Sequence, residues 1–165
     1  MPEADPAPAP HEGSEARTPA GDALTALIGQ VAQLIRLFSA EGERLARPAG
    51  QTLARWLVLA AVEERPASVA QIARAMALAR QSVQRVADLL ARDGLAAYEE
   101  NPRHRRAKLL RLTPEGRRVL DAIQAEQRAW ADALGAEVGE AELRSASVIL
   151  DRVLRVLRGR RPRGG

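Results

Sequence analysis

The feature that most constrains this 165-residue chain is a change of apolar period in its middle. Up to Arg92, large aliphatic side chains recur at the i, i+3, i+4, i+7 spacing of one helix face. After Gly94 that spacing gives way to two short runs, 95–100 and 108–112, each short enough to be a strand. Between them lies Asn101-Pro102-Arg103-His104-Arg105-Arg106-Ala107, a turn-forming and strongly basic loop. Helical spacing resumes at Thr113-Pro114-Glu115, which supplies an N-cap, a proline for the first helical position and an acid for the first turn. The chain reads as mainly α, with one small β-hairpin.

The helices can be placed one by one. Leu24, Leu27, Ile28, Val31, Leu34, Ile35 and Phe38 form one face of a first helix, with Asp22 as the expected N-cap and Pro48 and Gly50 as its end. A second helix is expected over 52–64, carrying Leu53, Trp56, Leu57 and Ala60 and stopping before Pro66. Ser68-Val69-Ala70-Gln71 fits a capping box and starts a short third helix that buries Val69, Ile72 and Met76. Ala77-Leu78-Ala79 is a tight connection to a fourth helix ending near Arg92, where Gly94 is the usual left-handed stop. Beyond the hairpin, a long helix is expected to about Leu134, a break over 135–139, and a last helix to about Leu157. With 46% hydrophobic but only 2% aromatic residues, Leu, Val and Ala must do the packing, which suits helices.

Charge and composition narrow the function. The net charge is +4, but residues 68–118 hold eleven Lys and Arg against five Asp and Glu, while the remainder is slightly acidic. A basic middle between near-neutral ends is the footprint of a polyanion-binding module, or else an ordinary solvated surface. There is no cysteine, which excludes disulfides, thiolate metal sites and thiol redox sensing. His11 and His104 are the two histidines and fit no ligand spacing, so neither a metal nor a cofactor is expected. Nothing assembles an acid, a base and a nucleophile, and an enzyme is not expected. No run reaches the roughly 18 uninterrupted apolar residues of a membrane span, and the proline-rich, acidic start lacks the pattern of a signal peptide. A cytoplasmic protein without a membrane partner is the expectation.

A short helix, a tight turn, a longer helix and a basic hairpin form the order of a winged helix-turn-helix. The second helix of such a pair fits the major groove, where each base pair shows a distinct donor and acceptor pattern. The hairpin reaches the adjacent minor groove, where arginine is favoured. Val83, Val86, Ala87 and Leu90 make the inward stripe of the fourth helix, which turns Arg80, Gln81, Gln84, Arg85 and Asp88 outward or to the flank. Arg80, Gln81, Ser82, Gln84 and Arg85 are therefore the candidate base readers, and a plain solvated helix face is the alternative. In the hairpin Arg103, Arg105, Arg106 and Lys108, with His104 among them, sit where packing needs no charge.

Three stretches carry a family resemblance: Leu89-Leu90-Ala91-Arg92-Asp93-Gly94-Leu95, then Asn101-Pro102 with Arg105-Arg106, then Leu110-Arg111-Leu112-Thr113-Pro114-Glu115-Gly116. Together they closely resemble the MarR family of regulators, over roughly residues 22–158. The resemblance implies a dimer built on terminal helices and often a small-molecule effector bound between the dimer helices and the DNA-binding lobe; the helix order and the terminal apolar stripes lead to the expectation of a pseudo-palindromic duplex DNA operator. Phe38 and Trp56 are expected in the core, or lining that pocket. The family's wing usually reads Asp-Arg-Arg, and His104 stands where the Asp would be; Asp88 is the candidate group that orients the wing instead, through Arg106.

Dimerisation also has a basis in the residues. The stripe of the first helix, and Leu143, Leu150, Val153, Leu154 and Leu157 at the other end, would leave large apolar patches on a monomer unless the two arms cover each other. The expected organisation is a disordered tail (1–20), a winged-helix domain (21–158) and a basic disordered tail (159–165). Within the domain, 21–50 and 117–158 are dimerisation helices and 51–116 the DNA-binding lobe. The function expected is a sequence-specific, homodimeric repressor. A sequence-tolerant architectural DNA binder and a winged-helix protein–protein adaptor remain the alternatives.

Overall fold

A computed structural model describes residues 18–102 and 107–160. Helix α1 (Pro19–Ala46) leads through a 3-10 turn (Arg47–Ala49) into α2 (Leu53–Ala61), β1 (Ala67–Ser68), α3 (Val69–Met76) and α4 (Arg80–Arg92). Strands β2 (Ala96–Glu99) and β3 (Leu109–Leu112) follow, then α5 (Pro114–Val138) and α6 (Glu140–Arg160). The chain is mainly α with one small antiparallel sheet. It divides into two units, Met1–Ala40 and Glu41–Gly165.

In the first unit the described residues form the bulk of α1. The Thr18 hydroxyl accepts from the Gly21 backbone N–H at 3.1 Å, and Pro19 takes the first helical position. Thr-Pro is thus the start signal, and the helix begins at Pro19 rather than at the expected Asp22 cap. The expected tail of residues 1–20 correspondingly gives its last two residues to α1. Leu24, Ile28, Leu34 and Ile35 are all exposed, and Phe38 is 50% exposed, so Phe38 is not a core residue of the single chain. Polar residues break every uninterrupted apolar run here, yet Pro19–Ala49 contains an 18-residue window of mean hydropathy 1.4, enough by length and composition to cross a membrane. Gln30, Gln33 and Arg36 lie along that stretch. An arginine at the centre of a span costs about 2.5–3.5 kcal/mol, so the average alone is a weak argument for one.

The second unit holds the core. Leu59 of α2, Ile72 of α3, Val83 and Leu90 of α4, Leu110 of β3 and Leu120 of α5 are each at most 1% exposed. Burying a side chain of this size contributes about 1.5–3 kcal/mol, so a few such contacts decide the fold of the lobe. The sheet order is β1-β3-β2, all antiparallel, with Ala67 opposite Leu110, and Ala96 opposite Leu112. Strand β1 is the element that the spacing does not predict.

Local chemistry sets the boundaries. Thr52 caps α2 by accepting from the Arg55 N–H, and the helix ends at Ala61, short of the expected Glu64. Ser68 closes β1 and opens α3 through the predicted capping box: its Oγ accepts from the Gln71 N–H at 3.3 Å, and its N–H donates to Gln71 Oε1 at 2.8 Å. Helices α3 and α4 end in the same way. Ala77 and Gly94 adopt left-handed φ values of +52° and +74°, and the next N–H, of Leu78 or Leu95, returns to the carbonyl of Ala73 or Leu90. Thr113 caps α5, accepting from the Gly116 N–H at 3.0 Å while its hydroxyl donates to the Gly94 carbonyl at 2.7 Å. Glu63, just past α2, accepts from Arg117 Nη1 and from Gln124 Nε2 of α5, both at 2.8 Å. At the far end α5 runs unbroken through Gly135 and stops only at Gly139 (φ +98°), a narrower break than the 135–139 expected. Helix α6 continues to Arg160 and contains no buried residue.

Candidate nucleic-acid interface

Helix α4 presents a divided surface. Val83, Ala87 and Leu90 are buried, and Val86 packs half-buried against the same core. Arg80, Gln81, Ser82 and Arg85 are exposed, Gln81 and Arg85 opposite the buried stripe and Arg80 at the helix start, so four of the five candidate base readers are open to solvent. The N-cap residue Ala79 has no side chain able to accept a hydrogen bond, and the first amides of α4 lack a side-chain cap. Uncapped N–H groups and the positive helix end favour an anion, and Arg80 adds full charge at that end.

Gln84 takes the flank, half-buried, and its amide is engaged within the chain. Gln84 Nε2 donates to Asp88 Oδ1 at 2.9 Å and to the hydroxyl of Tyr98 at 2.8 Å. The Tyr98 hydroxyl in turn donates to Asp88 Oδ1 at 2.7 Å. Tyr98 lies on β2, the first strand of the hairpin, so this triangle ties α4 to the base of the wing. Loss of water around Tyr98, then the hydrogen bond to Asp88 and the nearby negative charge, push its hydroxyl pKa up to about 12. The hydroxyl therefore keeps its proton, and its role as donor to Asp88, throughout the physiological range.

The expected contact of Asp88 with Arg106 lies outside the described residues, as do Arg103, His104 and Arg105. Lys108 is described and exposed, directly before β3. It lines a cleft of about 400 Å³ together with Ser68, Arg80, Gln84 and Tyr98. Arg111 of β3 and Glu99 of β2 form an ion pair at 3.4 Å on the hairpin. At the other end of α4, Asp93 pairs with Arg55 of α2 at 2.7 Å. The Arg55 hydrogen bond holds the Asp93 carboxyl below the usual carboxylate range. This pair links the C-terminal end of α4 to α2 at the surface, while the buried stripe of α4 holds the helix in place.

Trp56, the other expected pocket residue, packs half-buried against the core. Tyr98 is the member of this triangle that the sequence reading does not single out. A signal was present: Tyr98 is two positions from the buried Ala96 and so falls on the same strand face, while Gln84 and Asp88 share a helix face at i, i+4.

Residues 49–107, from the end of the 3-10 turn through the hairpin tip, match the model of the MarR family. The uncharacterized protein Rv2011c of Mycobacterium tuberculosis is 39% identical over 141 residues, which cover 86% of this chain and 99% of that protein. Among solved structures, Sco5413, a MarR family transcriptional regulator from Streptomyces coelicolor, is similar with TM-score 0.68 and 27% identity over 82% of this chain and 94% of that one. The MarR family transcription regulator SP03579 gives TM-score 0.76 at 24% identity, covering 84% of this chain and 92% of its own. With its helix pair, three-stranded sheet and open basic α4 face, the chain belongs to the MarR family of winged-helix transcription regulators.

Proposed function

We propose that two copies of this chain bind a pseudo-palindromic duplex site, with α4 in the major groove and the hairpin at the neighbouring minor groove. The observation that carries this reading is the start of α4 itself: Arg80, Gln81, Ser82 and Arg85 are all exposed in the first turns of a helix whose Val83, Ala87 and Leu90 are fixed in the core. Arginine and glutamine at the outer start of a helix are the side chains suited to guanine and adenine edges. The exposed stripes of α1 and α6 support the second copy, since patches of this kind rarely stay in water. A dimer seated on DNA hinders other proteins at the same site by simple exclusion, so repression is the sign that needs nothing beyond binding. A small molecule that prefers a conformer with the wrong spacing between the two reading heads would release it.

Selection of bound sequences from a random duplex pool tests the reading. The expected result is a two-fold symmetric motif with half-site centres about 10 bp apart. Sedimentation should give a dimer at micromolar concentration. Arg105→Ala should weaken all duplexes alike and lower the salt slope by about 1 per subunit, whereas Arg85→Ala should act on the selected site far more than on scrambled DNA. A pool that returns no motif, or a monomer in solution, contradicts the proposal.

A further inference from the structure

We propose that Tyr98 and Asp88 lock the side-chain amide of Gln84 in one orientation, so that Gln84 offers the DNA only its carbonyl oxygen and selects a base bearing an amino group. This inference rests on the reading of α4 as the major-groove helix and adds to it the rule by which one of its residues discriminates.

The chemistry of the triangle fixes the amide. An ionised carboxylate only accepts hydrogen bonds, so the Gln84 atom 2.9 Å from Asp88 Oδ1 must be the nitrogen. Turning the amide over would set its carbonyl oxygen against the carboxylate, two acceptors with no proton between them. Tyr98 closes the alternative route. Its single proton goes to Asp88 at 2.7 Å, so towards Gln84 its oxygen can only accept, at 2.8 Å. Both acceptors that face Gln84 demand its NH2 group, and the carbonyl Oε1 is the atom these contacts leave unused.

An unrestrained glutamine pairs bidentately with adenine, donating to N7 and accepting from N6. A glutamine whose NH2 group is engaged cannot donate to N7 and keeps only the accepting half. In the major groove the groups that donate to such an oxygen are N6 of adenine and N4 of cytosine. Guanine and thymine offer acceptors and a methyl group there. The contacted position should therefore admit adenine or cytosine and reject guanine and thymine. The opening beside Gln84 agrees, because Gln84 and Tyr98 line a cleft with Lys108, a cation suited to a neighbouring phosphate. Tyr98 is thus a positioning residue: it acts on DNA through Gln84.

The test is selection from a random duplex pool by the full chain and by Gln84→Ala, Tyr98→Phe and Asp88→Asn. The wild-type motif should hold one position per half-site that favours adenine or cytosine by on the order of tenfold. Gln84→Ala should make that position indifferent and so identify it. Tyr98→Phe keeps the ring but removes the hydroxyl, and it should admit guanine and thymine there with the other positions unchanged. Asp88→Asn lets the amide turn over and should do the same, with no demand on the packing of Tyr98. Cooperative thermal unfolding should be retained in all three, which separates loss of discrimination from loss of fold. Tyr98 is the only tyrosine of the chain, so ultraviolet titration of the tyrosinate reads the network: a midpoint raised towards about 12 in the wild type should fall in Asp88→Asn yet stay above 10.0, because the burial of the ring remains. If the wild type returns a motif and Tyr98→Phe and Asp88→Asn return the same one, or if the Gln84 position favours guanine or thymine, the inference is overturned while the DNA-binding reading stands. If the wild type enriches nothing, the DNA-binding reading fails and takes the inference with it.

Discussion

Helices α4 and α6 both repeat aliphatic residues every three to four positions, and both expose arginine between them. In α4 that stripe lies at the centre of the lobe, with Ala87 and Leu90 fully buried. In α6 the stripe meets nothing comparable: Ile149 is 56% exposed, Leu154 44% and Leu157 57%. Periodicity reports that a helix has an apolar side, but not which surface covers it. Where the chain's own elements supply the cover, as α2, α3 and β2 do for α4, the stripe builds a fold. Where they do not, the same pattern describes a surface in search of a partner. Under the proposed function the two helices would divide the labour, one positioning a reading face and the other offering an association face.

Substitution of each stripe can break this contrast. Leu90→Ala should cost about 2–5 kcal/mol, because the buried site loses both the transfer energy and the packing around it. That loss should appear as a lower denaturation midpoint at every protein concentration. Leu154→Glu should leave the lobe folded and instead weaken self-association at least tenfold, as seen by sedimentation. Should Leu154→Glu depress the midpoint as Leu90→Ala does and leave association untouched, α6 belongs to the fold and the contrast is wrong.

The next largest effect is expected where α5 starts against the lobe. A Cβ at Gly116 would stand 1.9 Å from the Leu95 carbonyl oxygen and 2.9 Å from its carbon, both backbone atoms that cannot step aside. Gly116→Ala should therefore cost about 3 kcal/mol, the upper end for overpacking, measured by urea unfolding. A loss below about 1 kcal/mol would mean that α5 is free to shift away from the turn at Gly94, and that α5 is less firmly tied to α4 than the contacts of Thr113 imply.

The contrast between the two helices also explains what the sequence made legible. Signals that act within a few residues were readable: the Ser68–Gln71 box, Thr113-Pro114 as a helix start, and Gly94 as a helix stop. Strand β1 was not, because two residues have no period, and it exists only through pairing with Leu109 and Leu110 across a long stretch of chain. Gly135 looked like a break yet stays helical, since a helix tolerates a glycine at roughly 1 kcal/mol and the turn is made by Gly139 alone. The outer face of α4 could be read from its buried face. The use of Gln84 could not, because its partner Tyr98 comes from another element and converges only in three dimensions. Phe38 misled because an aromatic on an apolar stripe reads as core, whichever surface covers the stripe.

The smallest expected effect compares the two ends of the helix-turn-helix unit, where one backbone motif is built on different residues. Ala77 and Gly94 hold the same left-handed position, at φ +52° and +74°. For alanine that conformation costs about 1–2 kcal/mol through the contact of Cβ with the backbone, whereas glycine escapes it. Against this, alanine has less freedom to lose on folding, worth about 0.4–1 kcal/mol. Alanine therefore remains the worse residue at both positions by about 0.5–1 kcal/mol. A Cβ at Gly94 would meet nothing within 4 Å, so conformation alone decides the outcome there. Ala77→Gly should raise the denaturation midpoint and Gly94→Ala should lower it by a similar amount, both read by thermal unfolding. The interest lies in the sign at Ala77. If glycine fails to stabilise, the Ala77 side chain contributes enough contact in the turn between α3 and α4 to offset its own strain, and that turn holds the reading helix by packing as well as by backbone geometry.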